Sequence, residues 1–176
     1  MTTTLKVFKT HRDVVLPAFA TEEAACFDLA AQFYGKSNYQ GYTKENAEFI
    51  RTFEMYNNTV ILMPGERVMV PTGLIFDIPK GYSIRVHPRS GLSYKQGLIL
   101  ANLEGVIDSD YYHETMVLLH NTSQSKITIQ NGDRIAQAEL VKSEVYKIEQ
   151  SKEQPKQKTS RVGGMGSTGV KKRAKA

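Results

Sequence analysis

The chain has 176 residues, 40% of them hydrophobic, enough for one domain with its own core. A single cysteine, Cys26, excludes a disulfide framework and a thiolate-rich zinc site, and no apolar run approaches the ~20 residues of a membrane helix. The net charge of +5 is concentrated: Lys152 to Ala176 carry eight Lys/Arg against one Glu (+7), leaving 15 Lys/Arg against 17 Asp/Glu (−2) in the body, so the basicity marks a tail and not a nucleic-acid-binding face.

The N-terminus, MTTTLKVFKTHRD, places charges where a signal peptide needs its apolar region. A cytoplasmic setting is expected, the host cytoplasm if the source is viral. In chain order, strands are expected at Leu5–Phe8, Phe27–Ala31, Thr59–Met63, Arg67–Val70, Leu74–Ile78, Ser83–His87, Gly97–Leu100, Thr115–Leu119, Lys126–Ile129 and Ile135–Val141. Pro64-Gly65, Pro71-Thr72-Gly73, Pro79-Lys80-Gly81 and Asn131-Gly132-Asp133 separate several of them. Many short strands with regular turn signals predict an all-β sandwich, barrel or jelly roll.

Two segments depart from this pattern. Between Tyr34 and Asn58, Ala47, Ile50 and Phe53 have helical spacing, while Phe49 to Phe53 alternate as a hairpin strand would. Both readings stay open. Ser151 to Ser160 (SKEQPKQKTS) has linker composition, which divides the chain into a β domain, 1–150, and an arm with a basic tail, 151–176. Weak, non-specific nucleic-acid contact through the tail is one expectation.

The chemistry centres on two short stretches. Arg89-Ser90-Gly91 offers a guanidinium, a hydroxyl and backbone N–H groups at a turn, a set suited to phosphate oxygens. Asp108 follows Val106-Ile107 in an apolar strand, where a carboxylate needs a partner or a task. Tyr111 and Asn102 supply an aromatic face and an amide nearby, as reading a pyrimidine or a sugar requires. Asp28 is a further acid among apolar neighbours, able to hold a metal's water shell, and Gln137 is either an outward polar residue or a ligand. The glycine-rich Gly163 to Gly169 adds backbone donors for phosphate. His87 and His113 lack a third ligand at metal-like spacing and read as structural or surface residues.

The combination and its order resemble the trimeric dUTPase family in five motifs: Ala25-Cys26-Phe27-Asp28-Leu29; Pro88 to Leu92; Gly105 to Tyr111, preceded by Asn102; Gly132 to Gln137; and Gly163 to Gly169. The resemblance implies a jelly-roll-like β subunit in a homotrimer with shared active sites. It also implies Mg²⁺-assisted hydrolysis of dUTP to dUMP and pyrophosphate, which limits uracil in DNA and supplies dUMP for dTTP synthesis. Asp108 is then the residue that orients and deprotonates the water attacking the α-phosphorus. Arg89, Ser90, Gly91 and Gln137 bind phosphate, and Asp28 holds the waters of Mg²⁺. Asn102, Val106, Ile107 and Met116 meet the base, and Tyr111 packs under the deoxyribose, leaving no room for a ribose 2′-OH. Gly163, Gly164, Met165, Gly166 and Ser167 close over the substrate.

Departures from the family pattern are Cys26 and His113 at glycine positions, Met165 for the arm phenylalanine, and Arg161 one residue nearer the glycine pair than usual. Residues 34–58 read as a surface insertion and a docking place for a protein partner. Two other functions remain: a dCTP deaminase of the same fold, and a non-enzymatic β module acting through its tail and insertion.

Overall fold

Alternation of side chains decides the architecture. In Thr59–Leu62 and residues 67–70, Val60, Leu62, Val68 and Val70 are buried while the residues between them are more open, the period-2 signature of a strand with one face on a core. The computed structural model describes residues 3–53, 59–160 and 163–164. The chain forms two compact units, Met1–Val145 and Tyr146–Ala176.

The first unit holds strands β1 (Lys6–Lys9), β2 (Phe27–Ala30), β3 (Asn38–Tyr42), β4 (Glu48–Thr52), β5 (Thr59–Leu62), β6 (Arg67–Pro71), β7 (Leu74–Asp77), β8 (Tyr82–His87), β9 (Leu98–Leu100), β10 (Gly105–Ile107), β11 (Met116–Asn121), β12 (Ile127–Gln130) and β13 (Arg134–Lys142), with helix α1 (Ser90–Gln96) between β8 and β9. Pairing is antiparallel. One sheet runs β4-β3-β6-β11-β9 and a second β10-β8-β13-β2, with two-stranded ribbons β1-β7 and β12-β5. Their inward residues, among them Leu29, Val70, Ile84, Leu119, Ile129 and Ala138, join in a single apolar cluster. The all-β, jelly-roll-like expectation is met, and each strand expected from sequence is found within two residues of its ends. Among the described residues no helix is long and apolar enough to cross a membrane.

The inserted segment is a hairpin, which removes the helical reading. β3 and β4 pair from Asn38↔Thr52 to Tyr42↔Glu48, and β3 adds to the large sheet beside β6. Ala47 and Ile50 are exposed while Phe53 is buried, so the three-residue spacing makes no buried stripe. The turn is closed by Thr43 N–H to Ala47 O and Ala47 N–H to Thr43 Oγ1, with Asn46 at φ 66°, a conformation asparagine tolerates. Gly41 permits the docking: a Cβ there would lie 2.2 Å from the Arg67 carbonyl oxygen. The two ends of the segment meet at the core, where the Phe33 and Phe53 rings sit 5.0 Å apart.

One ion pair fastens the hairpin to the body. Glu66, 5% exposed, accepts hydrogen bonds from Arg51 Nη1 and Nη2 at 2.8 and 2.6 Å and from Met63 N–H at 2.8 Å. Burial alone would raise the Glu66 pKa; the Arg51 and Met63 hydrogen bonds outweigh it and hold the carboxyl below its ordinary value. A depressed carboxyl stabilises the fold above the unfolded pKa, and that stability is lost as pH falls through the folded one. Glu66→Gln is expected to lower unfolding free energy by about 2–4 kcal/mol at neutral pH, leaving Arg51 partly buried and uncompensated. The gap to wild type should narrow below the ordinary Glu range of about 4.3, measured by urea denaturation at pH 7 and pH 4.

In the second unit, Ser151 Oγ donates to Glu153 O at 2.6 Å, and the described residues contain neither helix nor strand. Arg161, Met165, Gly166 and Ser167 lie outside the described residues.

Candidate active site

Strand register aligns the first group of residues. Gln137 on β13 faces Asp28 on β2 and His87 on β8, so the three side chains stand in one row on one face of the sheet. β8 ends at His87, and Pro88-Arg89 then leads into α1. The expectation of a plain turn at Arg89-Ser90-Gly91 is corrected here: Arg89 is the N-cap and Ser90 and Gly91 form the first helical turn. Leu92 and Ser93 N–H donate to Arg89 O, and Gly97, at φ 68°, terminates the helix. The N–H groups of Ser90 and Gly91 precede the first intrahelical bond, which favours an anion beside them.

Asp28, Gln137, Arg89, Ser90 and Gly91 line a cavity of about 520 Å³ together with Cys26, Arg134 and Lys95. Asp28 is its one carboxylate among the described residues. Its Oδ1 lies 3.1 Å from Arg89 Nε and its Oδ2 2.9 Å from Arg134 Nη1. Gln137 Nε2 donates to Pro88 O at 3.0 Å and so holds the turn that presents Arg89, while Arg89 Nη1 donates to Arg134 O at 2.8 Å. The cavity thus offers two guanidiniums, an ammonium and a hydroxyl against one acid, a surplus of donors suited to phosphates. The Cys26 thiol is pushed up by burial, then by Glu139 and Asp28, and stays protonated at neutral pH.

A second cavity, about 280 Å³, is lined by Asn102, Gly105, Val106, Ile107, Asp108, Tyr111 and Met116, with Val86, Leu100 and Val117 behind them. β10 carries Val106 and Ile107 as an edge strand beside β8. Asp108 lies just past its end and is exposed, so within one chain the expected desolvation does not arise; its backbone oxygen accepts from Tyr111 N–H at 3.1 Å. Tyr111 Oη donates to Glu114 O at 3.1 Å, and its ring meets His113 edge-on at 5.7 Å. Leu103, after Asn102, has φ 63°, a strained conformation for leucine in the turn that presents the amide. His113 is not among the left-handed residues, so the side chain at this position adds no such strain.

No residue lines both cavities. Continuing the β10 register puts Asp108 level with Ser83, six positions along the chain from Arg89, roughly 20 Å at the strand rise. The sequence therefore named two sets of residues that the fold gathers separately: Asp28, Arg89, Ser90, Gly91 and Gln137 in one cavity, and Asn102, Val106, Ile107, Asp108, Tyr111 and Met116 in the other. Gly163 and Gly164 are exposed residues of the second unit. Sequence reasoning missed helix α1, Arg134 and Glu114. Arg134 was findable, since an acid at Asp28 that faces phosphate needs a second cation. Glu114 takes its place through Lys36, 78 residues distant in sequence, and carries no local signal.

His87 is half-buried between Glu139, at 3.1 Å from Nε2, and Glu104, at 3.8 Å from Nδ1. It ties the strand end to the loop that follows Asn102, in keeping with a structural role. Among the described residues no group of three His, Cys, Asp or Glu could hold a metal ion.

The dUTPase family model matches residues 54–169. The deoxyuridine 5′-triphosphate nucleotidohydrolase of Nautilia profundicola is 37% identical over 169 residues, 94% of this chain and 98% of that protein. Its counterpart from Brucella melitensis is 44% identical over 111 residues, 63% of this chain and 70% of that protein. Among solved structures, the dUTPase of Staphylococcus bacteriophage 80alpha with dUpNHpp superposes with a TM-score of 0.73 at 22% identity, covering 96% of this chain and all of that one. That of Streptococcus mutans gives 0.61 at 22% identity, covering 81% of this chain and 98% of that one. By the family model and these relatives, the chain belongs to the dUTPase family, the dUTP diphosphatases.

Proposed function

We propose that this chain hydrolyses dUTP to dUMP and pyrophosphate in a site completed by a second copy, within a homotrimer. The observation that carries the reading is the split: one chain holds a donor-rich cavity around Arg89 and a separate small apolar cavity with Asn102, Asp108 and Tyr111, Asp108 lying roughly 20 Å along the strand direction from Arg89. Neither half can do the chemistry alone. Rotational symmetry brings one copy's first half against another copy's second half at each interface.

In the assembled site, the base enters the smaller cavity, where Asn102 and the backbone of Val106 and Ile107 meet its polar edge and Met116 its ring. Tyr111 lies against the sugar. The triphosphate meets Arg89, Ser90 and the first-turn N–H groups of the neighbouring copy, and Gln137 keeps that turn in place through Pro88. Asp108, exposed at the end of β10, accepts a proton from a water and aims that water at the α-phosphorus, and pyrophosphate leaves as its bond to that phosphorus breaks.

The residues fit Mg²⁺ of the kind held mainly by phosphate oxygens and waters, since Asp28 is the cavity's one carboxylate among the described residues. Both Asp28 oxygens face guanidiniums in the free chain. A triphosphate gives Arg89 and Arg134 better partners and leaves Asp28 to the metal's waters. When bound, Mg²⁺ neutralises charge on the triphosphate. Removing dUTP and supplying dUMP in this way limits uracil in DNA and feeds dTTP synthesis.

The primary test is pyrophosphate release across the four common dNTPs, dUTP and UTP with Mg²⁺. Release confined to dUTP is the expected result, and ammonia from dCTP would point instead to the deaminase. Asp108→Asn is expected to bind nucleotide and lose turnover by roughly 10²–10⁴-fold; wild-type turnover in that variant ends its assignment. A mixing experiment tests the split site. Asp108→Asn and Arg89→Ala, each inactive alone, should recover about a quarter of wild-type activity when unfolded and refolded together, because random assembly joins two intact halves at about a quarter of the sites. No recovery would mean that both halves come from one chain.

A further inference from the structure

We propose that Lys36, in the first turn of the inserted segment, is a positioning residue for sugar discrimination, acting on Tyr111 through Glu114. The proposal rests on the reading that Tyr111 packs against the deoxyribose. Tyr111 is 40% exposed, so packing alone fixes its ring poorly. Its fixed points are polar: the backbone N–H on Asp108 O at 3.1 Å and the hydroxyl on Glu114 O at 3.1 Å. Where the ring stands therefore depends on where the Glu114 peptide stands.

Glu114 is itself held by both carboxylate oxygens. Oε1 accepts Gly73 N–H at 2.8 Å, and Oε2 accepts Lys36 Nζ at 2.6 Å. The Glu114 side chain is 16% exposed, enough desolvation that losing its cation would favour swinging the carboxylate toward water and off Gly73. Lys36 is placed firmly for this task. Its N–H donates to Phe33 O across a turn with Gly35 at φ 71°. Phe33 is fully buried, and its own N–H donates to Asn131 Oδ1 at 2.7 Å. The core thus fixes the turn, the turn fixes the ammonium, and the ammonium fixes Glu114 under the tyrosine hydroxyl. Lys36 lies outside the stretch matched by the family model, so this chain supports its sugar-facing tyrosine from a residue beyond that stretch.

The test compares kcat/KM on dUTP and UTP for wild type, Lys36→Met, Lys36→Arg, Tyr111→Phe and the Lys36→Met/Tyr111→Phe double variant. Lys36→Met should lower the dUTP-to-UTP ratio about fivefold or more, as expected for neighbours coupled in one network. Lys36→Arg should restore the ratio, and the double variant should be no less selective than Tyr111→Phe alone. A ratio unchanged by Lys36→Met, or losses that multiply in the double variant, overturns the proposal. Should wild type itself turn over UTP as fast as dUTP, the reading of Tyr111 fails and Lys36 falls with it; intact wild-type discrimination keeps the two outcomes apart.

Discussion

Strand β8 is hydrogen-bonded on both sides, to β10 on one and β13 on the other, and most of the functional geometry follows from that double pairing. Through β13 it aligns His87 with Gln137 and, one strand further, with Asp28. Through β10 it sets the level at which Asp108 leaves the sheet. Buried Ile84 and Val86 hold β8 in register, since a one-residue slip would turn them to water. The same register that lines up the phosphate-facing row carries Asp108 away from it. Within one chain, Asp108 and the donor-rich cavity around Arg89 are therefore held apart.

The chemistry is divided by electrostatic character as well as by place. The cavity around Arg89 gathers cations, with Asp28 already locked between two guanidiniums. The cavity around Tyr111 is largely apolar, with its acid at the rim. Keeping Asp108 apart from the guanidiniums in the isolated chain leaves it without an intramolecular ion pair that substrate would have to break.

Much of this was legible from residue order. Alternating apolar residues in β5, β6 and β12 report a pleated surface against a core, and Pro-Gly turns bound them, so local pattern and tertiary structure agree. The site residues were legible as types because each is costly or odd in its local setting. Three things were not. Helix α1 is seven residues of weak propensity, with Ser, Gly and Tyr in its span, and is closed by Gly97 and not marked by periodicity. The hairpin of the insertion is chosen by Arg51 reaching Glu66 and by the room at Gly41, both contacts with distant residues. The separation of the two half-sites is a matter of sheet order, which sequence spacing does not encode.

The meeting of Phe33 and Phe53 has a consequence for how this fold varies. Because the chain from Phe33 to Phe53 leaves and rejoins the core at two touching rings, it is a closed excursion, further tied to the body by β3 on β6 and by Arg51 on Glu66. The tip between Tyr42 and Glu48 can lengthen or shorten at little more than a loop-closure entropy that grows slowly with length. The turn at the root is fixed, and so are Tyr39 in the core and Arg51 against buried Glu66. Chimeric versions of the protein should thus treat residues 33–37 and the two hairpin strands as body and only the tip as replaceable, a boundary drawn by packing and not by where sequence similarity begins.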